Sequence, residues 1–117
     1  MDEIEFKKRT KSLALRSIKL VDSLPRTKTS DVLGKQLLRS ATSVGANYRS
    51  VCRAKSTADM VNKLRIVEEE ADESVYWIEL MTESGLVKPD LVCDLMEGFG
   101  EIVAMVVASQ KTLRNKK

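Results

Sequence analysis

The sequence predicts an all-α fold: an up-down-up-down antiparallel four-helix bundle, with residues 1–117 forming a single domain. Three observations carry that expectation. Only two prolines and five glycines interrupt 117 residues, leaving long runs of good helix formers. Apolar residues recur at steps of three and four in four separate stretches. Short polar segments join those stretches, which makes neighbouring helices antiparallel. A chain that is 43% hydrophobic and 32% charged has enough apolar surface to fold, which excludes a disordered polymer.

The first helix is expected from about Ile4 to Ser23, with Phe6, Leu13, Ile18, Val21 and Leu24 as its apolar stripe. Leu24-Pro25 stops it, because the residue before a proline resists the helical region. The basic run Lys7, Lys8, Arg9 and Lys11 reads either as a solvated face or as a phosphate-binding one.

The second helix is expected to begin near Ser30, whose hydroxyl can cap it, with Asp31 well placed in the first turn. Leu33, Leu37, Ser40, Val44, Tyr48 and Val51 give its stripe. Gly34, Ser40, Ala41, Ser43, Gly45 and Ala46 make this helix thin. Each glycine costs about 1 kcal/mol of helix propensity. Close approach of another backbone, from the same chain or a second subunit, would offset that cost.

Arg53 to Ser56 forms the next turn, and Ser56 with Asp59 resembles a capping box. The third helix is expected to run to about Ser84 on Met60, Leu64, Val67, Ala71, Val75, Ile78 and Met81. Gly85 supplies its stop. The fourth helix starts at Pro89 and carries Leu91, Leu95, Phe99, Ile102, Val106 and Leu113, with a frayed tail from Arg114 to Lys117. Val92, Met96, Val103 and Val107 widen that stripe enough to suggest burial on two sides, and therefore self-association.

Charge divides the chain. Residues 26–55 hold seven basic residues and one acid, a net of +6, whereas residues 57–84 hold two basic residues and eight acids, a net of −6. Two readings stay open: the arms face each other or their copies in other subunits, or the basic arm meets nucleic acid. If the hairpin turns near residues 54–57, Arg39 falls beside Asp72 and Glu73. Arg39, Ser43 and Asn47 share one face of the second helix, and Glu70, Glu73 and Trp77 share one face of the third. These six residues form an expected polar seam, either a device that fixes helix register or a ligand site.

No histidine is present. Ser-His and Cys-His catalysis are therefore ruled out, as is the Glu-x-x-His ligand set of a di-iron bundle. An all-carboxylate metal site among Glu68, Glu69, Glu70, Asp72 and Glu73 is the least favoured alternative, and no cofactor is expected. Cys52 and Cys93 are isolated and read as two buried free thiols in a reducing compartment. The N-terminal MDEIEFKKRTK lacks the apolar core of a signal peptide, and Glu101 breaks the most apolar stretch. The expectation is a cytoplasmic protein that does not enter the membrane.

The segments SVGANYRSVCRAKST and KLRIVEEEADESVYWIELM resemble the four-helix-bundle proteins related to the bacterial 23S rRNA intervening-sequence protein. The resemblance lies in Ser43, Val44, Asn47, Ser56, Lys63, Leu64, Glu70, Ala71, Glu73, Ser74, Tyr76 and Trp77, with Gln36, Leu37, Arg39, Ser40 and Ala41 upstream. Ser50 and Lys55 depart from it, standing where acids are common, and both make the turn more basic. The resemblance implies a non-enzymatic bundle that assembles into rings, with homopentamers recurring. It also implies a fold similar to a basic pentameric accessory protein that binds nucleic acid and a reverse transcriptase.

Partners are therefore expected to be further copies of the chain, RNA or DNA such as rRNA, and another protein such as a reverse transcriptase. Phosphate contacts are expected from Lys7, Lys8, Arg9, Lys11, Lys35, Arg49, Arg53 and Lys55. A structural adaptor for a protein partner, with no nucleic-acid binding, is the alternative.

Overall fold

The computed structural model describes residues 2–116 and contains four α-helices: α1 (Glu3–Asp22), α2 (Lys28–Val51), α3 (Thr57–Glu83) and α4 (Pro89–Asn115). They form a rod of 50 × 21 × 20 Å. Consecutive helices pack against each other and α1 closes against α4 by the thinnest seam; among the described residues the backbones of the diagonal pairs α1–α3 and α2–α4 do not approach closely. That is the contact pattern of an up-down-up-down bundle. No described helix is long and apolar enough to cross a membrane.

The core is a column of side chains from all four helices, centred on Leu37, Val44, Val67, Ile78, Met81, Phe99 and Ile102. The stripes expected on α2, α3 and α4 largely fill it. On α1 the inward row is instead Phe6, Thr10, Leu13 and Ser17, and Ile18 is 38% exposed. The row 6-10-13-17 keeps one face at steps of four and three, whereas residue 18 lies about 100° further round. Thr10 and Ser17 can be buried because their hydroxyls donate to the carbonyls of Phe6 (3.0 Å) and Leu13 (2.8 Å) one turn back.

The helix ends follow local chemistry. Asp2 caps α1 by accepting from the Glu5 N–H at 2.7 Å. Thr27 caps α2, so this helix starts about one turn earlier than expected; Ser30 is the residue whose N–H Thr27 accepts, at 3.1 Å. Ser56 caps α3 through the Asp59 N–H, while the Asp59 carboxylate takes the Lys55 N–H at 3.0 Å, one residue before the position a capping box would use. Gly85, at φ +81°, reverses the chain after α3, and Pro89 opens α4. The tail is less frayed than expected: α4 continues to Asn115, with Leu113 half-buried and Gln110 buried. Lys117 lies outside the described residues.

Glycines set close helix contacts, the tightest at Gly98 of α4, where a Cβ would stand 2.5 Å from Leu13 Cδ2 of α1. A Cβ at Gly34 would stand 3.0 Å from Val21 Cγ1, and one at Gly45 would stand 3.2 Å from Thr10 Oγ1. The thin face of α2 therefore admits α1 of the same chain.

Candidate nucleic-acid interface

The close approach of α1 and α2 leaves a shallow groove of about 340 Å³ on the outside of their seam. Its floor is made by Ala14, Thr42, Gly45 and Ala46, and Lys7, Lys11 and Arg49 stand around it. Further along the same seam, Lys35 and Arg26 line a second depression of about 270 Å³ together with Asp22 and Asp31, so its charge is balanced. Lys7 pairs with Glu3 at 3.2 Å, an exposed i,i+4 contact of little strength. Lys11, Lys35 and Arg49 have no ion pair among the described residues.

Five expected cations thus fall into different settings. Lys8 is exposed on the outer side of α1, away from the groove floor. Arg53 and Lys55 are exposed in the α2–α3 turn at one end of the rod. Lys35 extends the groove. Arg9 lies on the opposite flank of α1, ion-paired with Glu101 and with its guanidinium 3.9 Å from Met105 Sδ on α4. It belongs to the α1–α4 seam and is not in the groove.

The polar seam between α2 and α3 forms at Arg39. Its guanidinium donates to Glu73 and reaches Glu70 at 3.4 Å, and its Nε lies 3.4 Å from Gln36 Oε1. The hydrogen bond to Glu73 raises the guanidinium pKa further above its already high value. Asp72 is exposed and is not among the partners of Arg39. Ser43 and Asn47 do not bridge the helices: Ser43 Oγ donates to the Arg39 carbonyl at 2.6 Å and Asn47 Nδ2 to the Ser43 carbonyl at 2.8 Å. Trp77 is half-buried, and its Nε1–H is buried without an acceptor among the described residues.

Beneath this seam the buried hydroxyls of Ser40 and Ser74 meet at 2.9 Å. Neither was singled out for its chemistry in the sequence. The available signal was that both occupy inward positions on facing helices. Gln110 supplies another buried link, donating to Glu68 at 2.8 Å. It sits four residues after Val106, where the α4 apolar stripe lapses.

Tyr48 stacks on Phe6, with ring centroids 4.1 Å apart. Burial first, then neighbouring Cys52, pushes its phenol up to about 12. Cys52 is half-buried, and burial raises its thiol pKa too. Cys93 is exposed on α4, which corrects the expectation of two buried thiols: it falls on the flank of the helix, one step from the inward Val92. Among the described residues no three His, Cys, Asp or Glu side chains gather as a metal site would need.

The chain matches the model of a family described as "23S rRNA-intervening sequence protein" over residues 2–108. It is also similar to a crystal structure from Bacteroides thetaiotaomicron, described as a protein with unknown function from the S23 ribosomal protein family. The two share 33% identity with a TM-score of 0.83, over 90% of this chain and 97% of the other. No curated protein matches the chain.

Proposed function

The chain belongs to the 23S rRNA-intervening sequence protein family, and from that premise we propose that it is a non-enzymatic, homo-oligomeric scaffold that holds nucleic acid along the α1–α2 groove. The observation that supports this reading best is the gathering of Lys7, Lys11 and Arg49 around a groove whose remaining lining is only small side chains, with Lys35 further along the same seam. A phosphate backbone can lie close over such a floor, with cations on both sides. No aromatic ring lines the groove, so nothing there stacks on a base. Contacts of this kind position a strand without reading its sequence. The ring implied by the family resemblance would repeat the groove around an axis and raise its effective affinity.

The test is binding of a fluorescent rRNA fragment across a salt series. Affinity should fall steeply as salt rises. The variant Lys7→Glu/Lys35→Glu/Arg49→Glu should flatten the log–log slope by about 2 and leave the thermal midpoint in place. Binding that ignores both salt and this variant would overturn the reading. If RNA fails to bind at physiological salt, the adaptor for a protein partner becomes the better account.

A further inference from the structure

We propose that the outer face of α1 docks lengthwise on the outer face of α3 of a second copy, with the two helices parallel. This rests on the oligomer reading above and specifies its contact. Outward on α1 run Ile4, Lys8, Lys11, Leu15 and Ile18, at steps of four, three, four and three. Along the outer side of α3 run Ile66, Glu69, Glu73, Tyr76 and Leu80, at steps of three, four, three and four, with Glu73 and Leu80 half-buried. Alternating threes and fours are the seam of helices that pack along their length.

Read from the N-terminal end, both stripes have the same order: one apolar residue, two charges, two apolar residues. The charges are opposite in sign: Lys8 faces Glu69, which has no ion pair among the described residues, and Lys11 approaches Glu73, which already holds Arg39 of its own chain. Each stripe spans fifteen residues, about 21 Å from first to last. These positions hold much of the apolar area that the chain leaves uncovered: Ile4 is 80% exposed, Leu15 55%, Tyr76 51%, Ile66 44% and Ile18 38%.

The topology provides the direction. In an up-down-up-down bundle α1 and α3 point the same way, and here they sit on opposite corners with their outer faces free. Copies standing side by side with parallel axes bring α1 of one against α3 of the next in the parallel sense. That contact joins two different patches, so it propagates head to tail and can close into a ring. Lys7, Lys35 and Arg49 remain outside it, in the groove; Lys11 lies at the border.

Sedimentation of the whole chain tests the contact, with circular dichroism as the check on folding. The wild type should be a multimer. Leu15→Glu and Tyr76→Glu should each give a folded monomer. Lys8→Glu and Glu69→Lys should each weaken association, by roughly fivefold per lost contact, and the two together in one chain should restore it. A multimer indifferent to all four single substitutions overturns this contact but leaves the oligomer reading standing. A wild-type chain that is monomeric at every concentration overturns both.

Discussion

The two seams that flank α2 are built on opposite principles. Toward α1 the contact is steric: Gly34 and Gly45 let backbone approach side chain, and the cations at its rim are left largely unspent. Toward α3 the contact is polar: two hydroxyls meet in the core, and Arg39 is neutralised by Glu70 and Glu73. One helix thus has a side that consumes its charge and a side that keeps it available. Basic residues count toward a phosphate surface only where the neighbouring helix does not answer them.

The largest effect should come from filling the steric seam. Gly34→Leu places a side chain against Val21, a β-branched residue with few alternative rotamers, and should cost about 1–3 kcal/mol in urea unfolding. An unchanged midpoint would mean that α1 and α2 are not closely packed there. Next comes the hydroxyl pair: Ser40→Ala and Ser74→Ala in a double-mutant cycle should show a coupling of about 1 kcal/mol. Additive losses would show that the two hydroxyls do not depend on each other.

Arg39→Met should be milder, shifting the urea midpoint less than either of these, because the guanidinium is half exposed and water screens it. A much larger loss would make the seam a determinant of folding rather than of register. The finest probe is Tyr48, in which the steric side of α2 continues as a stack on Phe6. A phenol whose folded pKa is raised stabilises the fold fully below its ordinary value of 10.0. That contribution is lost as pH rises toward about 12. In a Tyr76→Phe background the phenolate absorbance should rise near pH 12. A midpoint near 10 would show that α1 does not cover the ring.

Much of this was legible beforehand. The four helices, the Gly85 stop, the Pro89 start and the pairing of Arg39 with Glu73 follow from spacing and hairpin geometry. Other details were not. Ile18 looked like a core residue because it is apolar, yet Thr10 and Ser17 take the inward row, since their hydroxyls can be satisfied by their own helix. Ser30 looked like a cap, but Thr27 is the residue with extended backbone in front of the first turn. Arg9 sits in the same basic run as Lys7 and Lys11, yet a rotation of 200° from either takes it to α4.

The sequence alone determined that this chain makes four amphipathic helices, and it determined where they turn and which stretch is basic and which acidic. Those properties are local: periodicity, caps and breakers act within a few residues. Only the tertiary structure decided which cations face an acid and which face water, and which helix the glycines admit. Those answers depend on how each helix is rotated about its axis against its neighbours, and a difference of one position there moves a side chain by about 100°.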